Sequence, residues 1–467
     1  MTCGVSATRN TDVRQVKLIG FDFGSTTSSA IVAKAHVGRN CVTGRMELGQ
    51  PEILYRSTPV FTPFADGVID EQRVEEYLEQ WLEESDTNLE DIFAGGTIIT
   101  GLAALRSNAQ PLARLVSERI GEAVIATADD PSLESWLAFM GSCSVLSRFH
   151  SETPIVNLDI GGGTTNPALG LNGNVQSTGC YYVGARHFRF KPDSYLLLGL
   201  SEFGRQLLKH LGVPLSVGEV MSSQLRDQIL DFYIESLEAM VKGATQFFAN
   251  GIAKVHQQVP FECDCSGVPP VVTFSGGVGE LIYQQVAGEG LPTTTYFGDL
   301  GRATVYGLAL HSTDVSGTTL YTLYLPDSQA LPLRDLPIVA RLAMDASFDD
   351  WVHALELLRK GSSGGCIQIL SPRSLDPNGP PASLPQIKAA GQCLAAVLQA
   401  HPLSDEHTMV LVVSDNAGKT LGNYASNWGQ LPVKLVVIDE IPDRHAHFVN
   451  IGRCLNNIVP VSFYGMN

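Results

Sequence analysis

The sequence predicts an α/β protein made of two duplicated halves followed by a smaller α/β unit. Three observations lead there. An apolar, strand-like run ending in aspartate and a glycine turn occurs twice, as Lys17-Leu-Ile-Gly-Phe-Asp-Phe-Gly-Ser-Thr-Thr-Ser28 and as Ile155-Val-Asn-Leu-Asp-Ile-Gly-Gly-Gly-Thr-Thr165. A strand then runs into a helix through glycines at Ser275-Gly276-Gly277-Val278-Gly279-Glu280. Strand-like runs alternate with helical stripes through most of the chain.

In the first half, Ser29–Ala35 returns as a strand after the first turn. Asp70–Ser85 carries Val74, Tyr77, Leu78, Trp81 and Leu82 at helical spacing. Thr97–Thr100 is a short strand, Ala109–Ile120 a helix, Ala123–Thr127 a strand and Leu133–Leu146 a helix. In the second half, Asn172-Gly173 is a two-residue hairpin signal between Pro167–Leu171 and Asn174–Thr178. Gln224–His256 reads as one or two long helices, Val271–Ser275 as a strand, Val278–Ala287 as a helix and Asp299–Leu310 as another. The expected boundaries are 1–153 and 154–312 for the halves, 313–335 for a linker segment rich in Thr, Leu, Pro and Asp that reads as strand plus linker, and 336–467 for the last unit. That unit has helices at Trp351–Arg359 and Gln386–Gln399, and strands at Cys366–Leu370, Met409–Ser414 and Leu435–Asp439.

Composition excludes several classes. Hydrophobic residues are 44% and charged residues 17% of 467, which suits a large buried core and not a disordered chain. The formal charge of −17 disfavours a broad surface for nucleic acid or anionic lipid. The apolar runs Met409–Val413 and Leu435–Ile438 fall far short of the ~20 residues of a membrane helix, and residues 1–16 lack the apolar stretch of a secretory signal. Nine scattered cysteines without a C-x-x-C pair fit a reducing, cytoplasmic setting better than a disulfide scaffold.

The turns point to phosphate chemistry. Gly24-Ser25-Thr26-Thr27 and Gly161-Gly162-Gly163-Thr164 are small enough for their backbone N–H groups to converge on an anion. Asp22 and Asp159 precede the turns, so both carboxylates project at one cleft, where they suit Mg²⁺ held through its waters and an attacking water. Gly276 and Gly277 leave room for a flat purine and ribose, with Glu280 on the following helix.

Together these elements resemble the phosphate-1, phosphate-2 and adenosine motifs of the actin, Hsp70 and sugar-kinase superfamily, over roughly residues 15–312. The resemblance implies an actin-like ATPase fold with ribonuclease-H-like halves, and ATP and Mg²⁺ as cofactors. Asp129–Glu134 resembles the superfamily's connecting motif, which adds Asp130 to Asp22 and Asp159 as a catalytic candidate. Many members carry aspartate where this chain has Asn166. Gly95–Gly101, Pro131–Gly141, Asn157–Asn166 and the extra C-terminal unit are similar to the ethanolamine ammonia-lyase reactivating factors. That resemblance implies a chaperone that releases damaged cobalamin from ethanolamine ammonia-lyase so that intact adenosylcobalamin enters, in ethanolamine breakdown and often in a bacterial microcompartment. The lyase would be the protein partner, and a homodimer stays open as an assembly. Two other readings remain: a small-molecule kinase of the same fold, and a non-hydrolysing nucleotide sensor, which Asn166 favours.

Other signals lead elsewhere. Ser414–Thr420 ends like a P-loop but has Val413 where glycine is required. Asp443-Arg-His-Ala-His447 lacks the glycine of a cobalamin motif and reads as a solvated loop. Arg186 and Arg189, after the second hairpin, could meet a phosphate or a partner, although exposed arginines usually do neither.

Overall fold

The computed structural model describes residues 14–39, 46–49, 51–65, 68–120, 124–128, 130–265, 267–288, 300–317, 320–323, 331–361, 364–372, 380–455 and 458–466. Cys3, Cys41, Asp129 and Asp299 lie outside them.

Strands β1 (Arg14–Phe23), β2 (Thr27–Arg39), β3 (Met46–Leu48), β4 (Ile92–Ile99) and β5 (Val124–Ala128) lie in the first sheet in the order β3-β2-β1-β4-β5, with the strands Glu52–Arg56 and Val60–Phe61 also pairing with β2. β1 pairs antiparallel with β2 and parallel with β4. The second half repeats the plan. β6 (Ile155–Ile160), β7 (Thr165–Leu171), β8 (Asn174–Thr178), β9 (Cys180–Tyr181), β10 (Gln257–Val259) and β11 (Val271–Ser275) lie in the order β10-β9-β7-β6-β11, with β8 also on β7. β6 pairs antiparallel with β7 and parallel with β11. The two sheets therefore carry the same antiparallel and parallel neighbours around β1 and β6, which makes this an actin-like fold of two ribonuclease-H-like halves.

Two helices join the halves. The first is α1 (Pro131–Phe149); α2 (Gly276–Gly288) follows β11, and α3 (Ala303–Leu310) is the second joining helix. α1 and α3 cross at backbone distance. A Cβ on Gly141 would lie 2.0 Å from the Ala303 carbonyl, and one on Gly307 would lie 2.0 Å from that of Leu137. Any larger residue would force the helices apart. α3 is almost wholly apolar and also packs on β1, β2 and β4.

Residues 313–335 are not a plain linker. β12 (Thr313–Val315), β13 (Tyr321–Leu323) and the start of β14 (Leu333–Ala343) fall there and join the third sheet. With β15 (Gly364–Leu370), β16 (Thr408–Val413), β17 (Lys434–Ile438), β18 (Ala446–Ile451) and β19 (Pro460–Met466), the order is β12-β19-β18-β14-β15-β16-β17-β13. β14 to β17 are parallel, and β15, β16 and β17 are buried on both faces. The short edge strands lack an alternating pattern long enough to mark them in the sequence.

Helix Ala109–Ile120 and strand Val271–Ser275 occupy the expected residues. The expected helix at 224–256 ends at Val241, and a 3₁₀ turn and a short helix, Gly251–Val255, follow it. No helix among the described residues is long and apolar enough to cross a membrane.

Candidate functional site

The two glycine turns face each other across a cleft of about 290 Å³. Each closes in the same way. Gly24 N–H donates to the Thr27 carbonyl at 3.0 Å, and Gly161 N–H to that of Thr164 at 2.9 Å. The aspartate before each turn receives a hydroxyl from the neighbouring parallel strand. Thr100 Oγ1 donates to Asp22 Oδ1 at 3.2 Å, and Ser275 Oγ to Asp159 Oδ1 at 2.6 Å. In both halves a left-handed glycine and a helix follow that hydroxyl residue: Gly101 at φ 56° and Gly276 at φ 76°. Thr100-Gly101 and Ser275-Gly276 are thus a second internal repeat, which the sequence comparison did not pick out.

Gly24, Ser25, Thr26, Thr27, Gly161, Gly162, Thr164, Gly276 and Gly277 all line the cleft with Asp22 and Asp159. Gly162 has to be glycine for the turns to approach, since a Cβ there would stand 2.2 Å from Thr26 Oγ1. That hydroxyl is buried without a hydrogen-bond partner. Gly163 turns away and packs on Leu102 of the first half. Glu280 lies at the edge, where its Oε2 accepts the Gly301 N–H at 3.1 Å and fixes α2 to the turn before α3. Leu281 and Val278 of α2 supply the apolar wall.

Asp130 is not in the cleft, which corrects its expected catalytic role. It caps α1, accepting the Leu133 N–H at 3.0 Å, and its other oxygen accepts the Gly465 N–H of β19 at 2.6 Å. Glu134, one turn further on, enters the cleft instead. In sequence it looks like one more helical glutamate; the position of α1 between the halves is what buries it.

Three carboxyl groups therefore share a desolvated space. Burial, with Asp159 adding to it, raises Asp22 to about 7. Burial raises Asp159 to about 6 against the hydrogen bond from Ser275. Glu134 is pushed well above the usual carboxylate range by burial and then by Asp22 and Asp159. Such a set favours a positive charge among them. Carboxylate oxygens are the donors that a hard divalent cation takes, directly or through its waters. The open glycine turns, the unpartnered Thr26 hydroxyl and the carboxylates together fit a magnesium nucleotide.

Arg186 also lines the cleft. Its N–H donates to the Gly162 carbonyl at 2.7 Å, and its guanidinium lies 5.9 Å from the Phe61 ring of the other half. Asn166 is fully buried on β7 beside Glu134, and its side chain favours the charged form of that carboxyl group against the effect of burial.

The P-loop-like turn of the third unit is closed. Asp439 Oδ2 accepts the Ala417 and Gly418 N–H groups at 3.1 and 2.9 Å, at the start of α4 (Gly418–Ala425). Asp443 is paired with Arg341.

The family model for the ethanolamine utilisation protein EutA matches residues 14–302 and 300–465. This chain belongs to the EutA family. The ethanolamine ammonia-lyase reactivase EutA of Salmonella typhimurium is 27% identical over 97% of this chain and 98% of its own length. The reactivase of the same name from Escherichia coli is 27% identical with the same coverage. Among solved structures, MreB5 of Spiroplasma citri bound to AMPPNP is 16% identical, covers 62% of this chain and 94% of its own, and has a TM-score of 0.31. Component A of the (R)-2-hydroxyglutaryl-CoA dehydratase of Acidaminococcus fermentans is 17% identical, covers 63% and 97%, and has a TM-score of 0.31.

Proposed function

We propose that this EutA-family chain is an ATP- and Mg²⁺-dependent reactivase of ethanolamine ammonia-lyase. It releases damaged or inactive cobalamin so that intact adenosylcobalamin rebinds, in the cytoplasm and in ethanolamine-degrading microcompartments. The observation that carries the nucleotide reading is the pair of equivalent aspartate–glycine turns, one from each half, facing a single cleft. The curated names of the full-length relatives support the lyase as partner.

Magnesium, when bound, neutralises phosphate charge and acidifies a coordinated water. The remaining work falls to the chain. The N–H groups of Gly24–Thr27 and Gly161–Thr164 hold the phosphates. Asp22 and Asp159 would hold the cation through its waters, and Glu134 would take the proton of an attacking water. Leu281 and Val278 cover the base. Because the phosphates touch both halves, nucleotide state sets how closed the cleft is, and that changes the surface offered to the lyase.

The test is ATP-dependent recovery of ethanolamine ammonia-lyase blocked with cyanocobalamin. Recovery by the unaltered chain, and its loss together with phosphate release in a folded Asp159→Ala variant, is expected. Full recovery by that variant would overturn the site assignment. Asn166 favours a second reading, a nucleotide sensor that does not hydrolyse: ATP binding without phosphate release, even with the lyase present, would select it.

A further inference from the structure

Asp159 stands at the end of a buried line of hydrogen bonds that Asp22 lacks. In the parallel register of β6 and β11, Asn157 lies opposite Thr273 and Asp159 opposite Ser275. Thr273 Oγ1 donates to Asn157 Oδ1 at 3.0 Å. Asn157 Nδ2 donates to Ser275 Oγ at 2.8 Å, and Ser275 donates to Asp159 Oδ1 at 2.6 Å. Cys143 of α1 closes the far end, with Sγ 3.1 Å from Thr273 Oγ1. Burial raises its thiol to about 11, so it stays protonated. Asn157 and Ser275 are completely buried and Thr273 nearly so.

The line has a direction. An amide N–H only donates, so Ser275 accepts from Asn157 and has one proton left, which goes to Asp159. Each bond polarises the next toward the carboxylate. Among the described residues the first half has no counterpart. Gly20 occupies the position of Asn157, and a Cβ there would lie 2.7 Å from the Val305 carbonyl of α3. Asp22 has Thr100 at 3.2 Å as its hydroxyl donor, with no amide behind it.

We infer that Asn157, Thr273 and Ser275 are positioning residues that lock one oxygen of Asp159, leaving the other to orient a water of the nucleotide-bound magnesium. This rests on the nucleotide site proposed above. It makes the second half the rigid side of the magnesium site and the first half the adaptable one.

The test compares ADP affinity with magnesium and with a chelator, by calorimetry on the full chain. Ser275→Ala is expected to lose about tenfold of the magnesium-dependent gain, as removal of an outer-shell partner does. Thr273→Val, which keeps the shape and removes the hydroxyl, loses about threefold, and Thr273→Ser restores it. Affinity in chelator and the melting temperature stay near those of the unaltered chain, so a packing defect is told apart from a positioning one. Wild-type magnesium dependence in both Ser275→Ala and Thr273→Val, beside its loss in Asp159→Asn, would overturn the inference and leave the site standing. Failure of the unaltered chain to bind ADP, or wild-type behaviour of Asp159→Asn, would remove the nucleotide site and the inference together.

Discussion

The turn at Gly161–Thr164 and the turn before α4 both follow a buried strand, and both offer backbone N–H groups next to glycine. Only the first opens on a cleft. In the second, the chain's own Asp439 occupies the N–H groups that an external anion would need. The aspartates differ in placement. Asp159 precedes its turn and points across the cleft, whereas Asp439 comes from the next strand and points into the turn. A glycine turn is an anion site only when no internal carboxylate reaches it first.

The largest effect is expected at the open turn. Asp159→Asn should reduce ATP-derived phosphate release about a hundredfold or more, with the melting temperature retained. A rate within twofold of the unaltered chain would remove the distinction between the two turns.

The second prediction is a pH effect. Asp22 and Asp159 hold protons up to about 7 and about 6 in the folded chain, against 3.8 for the ordinary group. The folded state then binds more protons than the unfolded state from about pH 4 to 7. This contribution lowers stability as pH rises through that window. Magnesium nucleotide competes with those protons, so its stabilising shift in melting temperature should be larger at pH 7.5 than at pH 5.5. Equal shifts would contradict the carboxylate assignment. His187 has the opposite sign. Burial and then His256 lower it to about 4 from 6.5, so it destabilises the fold as pH falls from about 6.5 to 4.

A methyl group at the open turn comes next. Gly162→Ala would press on Thr26 Oγ1, and an ADP affinity about tenfold weaker is expected by calorimetry, in line with the loss of one well-aligned anchoring group. The smallest effect sharpens the comparison from the other side. Asp439→Ala removes the cap of α4 and should cost about 1–2 kcal/mol in denaturant unfolding. Added phosphate should then stabilise that variant by a degree or two and leave the unaltered chain unmoved. An identical phosphate response in both would show that the turn is not an anion site even when vacated.

The repeated Asp-x-Gly turns and the third glycine element were legible because they depend on local chemistry: small residues at sharp bends, after apolar runs. Asp22, Asp159 and most of the glycines therefore meet in the structure as their spacing implies. Glu134 and Asp130 were not separable from sequence. Both start one helix, and which of them caps it and which enters the cleft depends on how α1 lies between the sheets and on a hydrogen bond from Gly465, 335 residues away. The Asn157–Thr273–Ser275 line was hidden for a similar reason: the strand register joins Asn157 to Thr273 and Asp159 to Ser275, each pair 116 residues apart. Within 313–335, which reads as strand plus linker, the bounds of β12 and β13 are not legible because three-residue edge strands carry too little periodicity.

The crossing of α1 over α3 has a mechanical consequence. Helices that interlock through side chains must lift ridges out of grooves before one slides on the other. Here the axes meet through Gly141 and Gly307, backbone on backbone, while Leu137 and Met140 of α1 pack with Leu308 of α3 around that point. Any turning of one half on the other at this point would be resisted by those apolar side chains and not by the two glycines themselves.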